Sequence, residues 1–253
     1  MAWRLIALGL ATSGALRATA AGPAVYELRQ YKIVAGQRDA FIRLFDEAFV
    51  DPQEAVGIRV FGQFRDLDDA NRFVWLRGFA DMDARGKALN DFYFGPVWQA
   101  RRGEANPLLD DNDNVLLLRD AGHAPEVAVA PPTGTAGGVV FATIYYLWKE
   151  PTEGFAAFFE AQLQPALARA GLPVVASFVP ERSPNNFPRL PIRTGERVFV
   201  WFTRADQPAS HEAALQRLQA LPEWPAINNR LKDELERSPQ VLRLDPSPRS
   251  RIR

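Results

Sequence analysis

The chain has 253 residues, enough for one large domain or two small ones, and its 47% hydrophobic and 24% charged content suits a globular protein with a substantial core. Thirty basic and thirty acidic residues leave no net charge, which argues against nucleic acid as a partner, since binding it calls for a basic excess or stripe. With no Cys and only two His, disulfides, thiolate metal sites, iron–sulfur clusters and thiol nucleophiles are excluded, and no metal or other cofactor is expected.

From the N-terminus, Arg4 supplies a positive charge, residues 5–16 are apolar, and Ala18-Thr19-Ala20 has the small residues a signal peptidase reads. Residues 1–21 therefore read as an export signal, and the mature protein as periplasmic or secreted. A mitochondrial presequence is the alternative, because Arg4 and Arg17 are the sole charges before Glu27. The apolar run falls short of the ~20 residues that a lasting membrane span needs.

The remaining chain repeats itself. Val25-Tyr-Glu-Leu-Arg-Gln-Tyr31 and Val139-Val-Phe-Ala-Thr-Ile-Tyr145 both alternate and are rich in strand formers. Tyr31, Phe41, Gly57 and Phe64 recur at one constant offset as Tyr145, Phe155, Gly171 and Phe178. Helical stripes follow the first strands: Phe41, Leu44, Phe45 and Ala48, then Phe155, Phe158, Phe159 and Leu163. Arg72-Phe-Val-Trp-Leu76 and Arg197-Val-Phe-Val-Trp201 form third strands, Trp98 and Trp224 mark second helices, and residues 115–118 and 241–244 form closing strands.

Each half reads strand, helix, strand, strand, helix, strand: residues 24–119 and 139–245, joined by a Pro-, Gly- and Ala-rich linker at 120–138 that holds a solvated His123. The second half carries a Pro-rich insertion at 180–196, expected as an arm over the barrel mouth or onto another subunit. Ser210 is expected to cap the helix that follows, with His211 exposed beside it, and residues 246–253 to form a disordered tail. A βαββαβ unit leaves one sheet face bare. The expected fold is α+β, two fused ferredoxin-like repeats that bury their bare faces against each other as an intrachain dimeric α+β barrel, helices outside.

The opening strand Val25-Tyr-Glu-Leu-Arg-Gln-Tyr31, and Asn71-Arg-Phe-Val-Trp-Leu-Arg-Gly-Phe79 followed by Asp81 and Arg85, resemble NIPSNAP proteins. The resemblance is specific in the first half and looser in the second, where Phe141 and Thr143 replace Glu27 and Arg29. It implies the dimeric α+β barrel fold and no established reaction; relatives in the wider superfamily include cofactor-independent monooxygenases and haem-degrading enzymes.

Alternation places Glu27, Arg29 and Tyr31 on one face of the first strand and Trp75 with Arg77 on one face of the third. With the apolar faces given to the helices, these residues are expected inside the barrel. Glu27 is then a candidate base, and Arg29 or Arg77 a candidate holder of an anionic or enolate oxygen. An ion pair between Glu27 and Arg29 that fixes strand register is the alternative. Trp75, Trp98, Tyr145 and Trp224 are candidate walls of a ligand pocket, or packing residues. The expected function is an exported barrel binding a small apolar or aromatic ligand, with cofactor-independent monooxygenase-like activity as its catalytic form. The alternative is a non-catalytic module that docks a protein partner, or a second copy of the chain, through its outer helices or Pro-rich arm. A wide aromatic cavity favours the first, and a barrel filled with side chains the second.

Overall fold

The computed structural model describes residues 24–125 and 137–253; the expected export signal and most of the linker lie outside them. In chain order the first half comprises β1 (Val25–Ile33), α1 (Arg38–Ala48), α2 (Val50–Ala55), β2 (Arg59–Asp66), β3 (Arg72–Phe79), α3 (Met82–Tyr93), α4 (Pro96–Ala105), β4 (Leu109–Asp111) and β5 (Val115–His123). The second comprises β6 (Val139–Leu147), α5 (Phe155–Phe158), α6 (Gln164–Ala170), β7 (Val174–Pro180), β8 (Val198–Ala205), α7 (Pro208–Gln219), α8 (Trp224–Glu234) and β9 (Leu235–Pro246). A turn of π-helix, Phe159–Leu163, joins α5 to α6.

The helical stripes are buried as their spacing requires: Phe41, Leu44 and Phe45 under the first half, Phe155, Phe158, Phe159 and Leu163 under the second. Gly57 and Gly171 sit between the first helical layer and the next strand of each half, at φ +92° and +88°, a conformation in which a Cβ is strained.

Eight strands close into an antiparallel barrel in the order β1-β3-β2-β9-β6-β8-β7-β5 and back to β1, with β4 added beside β1. Two seams unite the halves. At one, β2 meets β9 with Arg65 opposite Asp245; at the other, β5 meets β7 with Arg119 opposite Val179. The helices lie outside. Among the described residues, no helix is long and apolar enough to cross a membrane.

The barrel is filled. Tyr26, Leu28, Phe61, Phe64, Val74 and Leu76 meet Leu116, Leu118, Val140, Ile144, Phe178, Val200, Phe202 and Leu244 in one buried apolar cluster drawn from every barrel strand. An eight-stranded barrel has an interior about wide enough for side chains alone. Tyr26 packs between Phe178 and Phe61, at centroid distances of 4.8 and 5.6 Å.

This corrects the expected orientation of β1 and β3. Glu27, Arg29, Tyr31, Trp75 and Arg77 stand on the opposite face, under the helices: Tyr31 and Trp75 belong to the helix-side core with Phe41, Phe45 and Leu89. The barrel face is chiefly apolar, its polar exception the Gln30–Gln240 pair at 3.0 Å. The helix layer can supply partners for charge, and it does.

Other expectations also change. The strand β5 continues through His123, so the linker's first residues, 120–123, are part of the sheet. Ser210 lies inside α7, whose N-cap is Gln207, and His211 is buried, its ring stacked on Phe141 at 3.5 Å. Residues 246–253 are no frayed tail. Ser247 N donates to Gln63 O at 2.8 Å and Arg251 N to Phe61 O at 3.0 Å, Arg249 pairs with Asp51 and Arg251 with Glu54, and Ile252 joins the barrel's apolar cluster.

Candidate functional site

The antiparallel register of β1 and β3 sets Glu27 opposite Arg77, Arg29 opposite Trp75 and Tyr31 opposite Phe73. Side chains two residues apart on β1 share a face, so Glu27, Arg29 and Tyr31 form a column beneath the helices. Arg29 Nη1 donates to Glu27 Oε2 at 2.6 Å, and Arg29 Nε to Tyr31 Oη at 2.7 Å. Arg77 Nε reaches Glu27 Oε2 at 2.7 Å, and Arg77 Nη1 reaches Gln53 Oε1 on α2 at 3.0 Å. From α3, Arg85 Nε donates to Glu27 Oε1 at 2.7 Å. Glu27, Arg29, Arg77 and Arg85 are each 0% exposed.

One carboxylate thus meets three guanidiniums in the interior. Burial by itself would raise the Glu27 pKa; Arg77, Arg29 and Arg85 outweigh burial and hold the carboxyl well below the usual range. With both oxygens engaged, Glu27 is a poor proton acceptor, and the expected role of base passes from it. The register-fixing ion pair describes it better, enlarged from two residues to four. Tyr31 is pushed up to about 12, chiefly by burial against the opposing pull of Arg29, so its phenol keeps its proton at neutral pH. The buried Arg29 Nη2 and Trp75 Nε1 have no hydrogen-bond partner among the described residues.

Above this column a cleft opens between sheet and helices. Its floor is Tyr31, Trp75 and Gln53; its walls are Phe41, Phe45, Phe49, Phe92 and Trp98; Tyr93, Asn106, Leu109, Asn112 and Leu190 complete the lining. The rings interlock, with Trp98 4.9 Å from Tyr93 and 5.4 Å from Phe49, and Trp75 4.8 Å from Phe45. The cavity measures about 60 Å³. That is well below the roughly 300 Å³ at which drug-sized pockets begin, so as it stands it admits a small compound or one end of a longer one.

Leu190 comes from the insertion at 180–196, which crosses to the first half. It covers this cleft, and its later residues run beside β5, where Arg193 N donates to Val115 O at 2.9 Å and the Arg193 guanidinium lies 5.9 Å from the Tyr146 ring. Phe187 stacks on Tyr93 at 5.7 Å, Arg189 lies over the Phe94 ring at 4.7 Å, and Asn186 Nδ2 donates to Met82 O. Arg85 Nη1 donates to Asn185 Oδ1 and Asn186 Oδ1, at 3.1 and 2.6 Å. Gly86 makes the approach possible, since a Cβ there would stand 2.7 Å from Asn186 Nδ2.

Of the expected pocket residues, Trp75 and Trp98 meet in the cleft, whereas Tyr145 and Trp224 pack in the separate apolar core under the second half. Expected site residues Glu27, Arg29, Tyr31 and Arg77 are together, with Tyr31 alone of the four lining the cavity. Arg85, Gln53 and Tyr93 join the site from outside the expected set, and the expected arm meets them at this cleft. Arg85 did leave a signal: it occupies the first position of the stripe Arg85, Ala88, Leu89, Phe92, all buried on α3, and a charge on an apolar stripe implies a buried partner.

Residues 26–120, which hold every strand and helix of this site except the arm, match the NIPSNAP family model. They form a NIPSNAP domain. A NIPSNAP domain protein from Burkholderia xenovorans is 22% identical over 40% of this chain and 99% of its own, with a TM-score of 0.37. Beyond the domain, the whole chain is similar in fold to a candidate monooxygenase from Lactobacillus acidophilus, at TM-score 0.58 and 12% identity over 89% of this chain and 94% of that one. An anthrone oxidase-like protein gives TM-score 0.55 and 11% identity over 90% and 93%. At these identities the likeness shows the fold, a mixed helix and strand architecture around an eight-stranded antiparallel barrel. Among curated proteins none matches the chain.

Proposed function

We propose that the NIPSNAP domain binds a small aromatic compound in the cleft between its sheet and its helices. The observation that carries this reading is an aromatic-walled space on which a few polar groups converge: the Tyr31 and Tyr93 side chains, Gln53, Asn106 and Asn112. Aromatic walls hold a ring and scattered polar groups orient it. The names of the monooxygenase-like and anthrone oxidase-like neighbours support a catalytic form of the same reading. Among the described residues no carboxylate, imidazole or amine lines the cleft, so in cofactor-independent oxygenation the carbon acid would enter already ionised, its proton left in solvent, and the carbanion itself donates the electron to dioxygen. A closed, apolar cleft favours such chemistry by excluding water from the carbanion.

The same proposal treats the chain as two fused ferredoxin-like βαββαβ repeats, of which the first kept the site. The recurring landmarks from Tyr31 and Tyr145 support it, as does the matching succession of barrel strands, β1, β2, β3 and β5 in one half and β6 to β9 in the other. Export, supported by the apolar run at 5–16 and Ala18-Thr19-Ala20, is read out by N-terminal sequencing of the mature protein. The filled barrel favours the interaction-module alternative only if the barrel is the sole place for a ligand, and the cleft removes that condition. The arm, engaged on its own chain, is not a free docking segment.

Calorimetric titration with benzamide tests binding. The wild type should show saturable heat that Leu190→Trp, which fills the cleft from the arm, abolishes. Dioxygen uptake with phenylacetone, a one-ring carbon acid, tests catalysis. Saturable binding without uptake would leave a binding protein and remove the oxygenase.

A further inference from the structure

The buried cluster does not balance. Glu27 contributes one negative charge; Arg29, Arg77 and Arg85 contribute three positive ones, all out of solvent. Among the described residues, Glu27 is the one carboxylate that these guanidiniums touch. Gln53, Asn185 and Asn186 bring neutral carbonyl oxygens. Each buried ion costs several kcal/mol in desolvation and persists where partners repay it, so two surplus positive charges call for an anion. The buried Arg29 Nη2 and Trp75 Nε1 also stand unpaired; Trp201 Nε1 does so in the second half too, so of the two it is Arg29 Nη2 that sets this site apart.

The second half supplies an internal control. The strands β6 and β8 pair as β1 and β3 do, with Phe141 opposite Thr203 where Glu27 faces Arg77, and Thr143 opposite Trp201 where Arg29 faces Trp75. Over Phe141 lies His211, stacked ring on ring. The same sheet and helix layers close there without buried guanidiniums. The cluster is therefore not what this fold requires in order to form.

We propose that the ligand of the cleft is a one-ring compound carrying an anionic oxygen, with Tyr31 and Trp75 donating to that oxygen and Arg29, hydrogen-bonded behind Tyr31, supplying the charge. This rests on the aromatic-cleft reading and names its substrate class. Tyr31 and Trp75 line the cavity, and Arg29 also lies against both rings, 5.2 Å from the Tyr31 centroid and 5.7 Å from that of Trp75. Arg77, 4.8 Å from the Trp75 centroid, adds to the positive potential. Such a site prefers the ionised ligand because the uncompensated guanidiniums, whose pull is stronger where water is excluded, outweigh the cost of desolvating the anion.

Benzoate and benzamide share ring and shape and differ in charge, so calorimetric titration of both at pH 7 separates the two readings. Wild type should bind benzoate at least tenfold more tightly than benzamide. Arg29→Met should bring the ratio of benzoate to benzamide affinity to about one, and Arg29→Lys, which keeps the charge, should retain the preference. Should Arg29→Met not fold, Tyr31→Phe removes one hydroxyl alone and should lower the benzoate-to-benzamide affinity ratio severalfold; an unchanged ratio would count against the proposal. Equal affinity of wild type for the two compounds overturns the anion and leaves the aromatic cleft standing. Absence of binding by either overturns both.

Discussion

Arg85 and Asn186 belong to different halves of the chain, yet Arg85 Nη1 donates to Asn186 Oδ1 at 2.6 Å while Arg85 Nε holds Glu27 at 2.7 Å. One guanidinium therefore reads the arm with one edge and the charged column with the other. Cleft cover and cleft floor share a residue.

Cutting that link should loosen the arm and leave the fold intact. The double variant Asn185→Ala/Asn186→Ala removes both acceptors from Arg85, and hydrogen bonds to charged groups are worth roughly 1.5–3 kcal/mol each in favourable cases. Partial exposure of the two asparagines reduces this, so about 2 kcal/mol in total is expected. Hydrogen exchange over 181–196 should accelerate strongly while β1 and β3 remain protected. Gly86→Val, which pushes Asn186 away from the other side, should give the same pattern.

Glu27 governs acid stability. Its folded pKa is depressed, so its contribution is complete above the ordinary glutamate value near 4.3 and is lost as pH falls below that toward the folded value. Glu27→Gln leaves three buried guanidiniums without their carboxylate and should cost roughly 3–5 kcal/mol at pH 7. The gap between wild type and variant should narrow as pH drops from 5 to 3, measured by urea unfolding at each pH. A constant gap over that range would mean that the carboxylate does not carry the cluster's charge.

The last residues are structural. Ile252 is 7% exposed and packs among the barrel's apolar side chains, and Ser247 and Arg251 bind backbone carbonyls of β2. Ile252→Ala should cost about 2 kcal/mol, at the low end of the range for large-to-alanine changes in cores. Ending the chain at Pro246 should cost more. Thermal unfolding of the two variants checks both, and an unchanged Tm in the shortened chain would return these residues to the status of a tail.

Much of the architecture was legible because periodicity is a local property. Phe41, Leu44 and Phe45, or Phe155 and Phe159, announce a buried helix face from spacing alone, and Gly57 with Gly171 marks equivalent turns. The facing of β1 was not legible. Both of its faces are buried, Tyr26 and Leu28 toward the barrel and Tyr31 toward the helices, so the choice depends on where Glu27 and Arg29 find partners. Those partners, Arg77 and Arg85, lie on β3 and α3, and only the closed fold brings them together. The C-terminal residues failed for the same reason: Ser247 to Arg253 look solvated as a string, and their order comes from the Phe61 and Gln63 carbonyls far earlier in the chain.

The most direct test of the account is a crystal structure of the protein soaked in 4-bromobenzoate, with bromine located by its anomalous signal. The account predicts the ring between Trp75 and Trp98, beneath Leu190, and the carboxylate on the Tyr31 and Trp75 side of the cleft. Bromine inside the barrel, or a carboxylate turned toward Asn106 and Asn112 with Tyr31 left vacant, would contradict it.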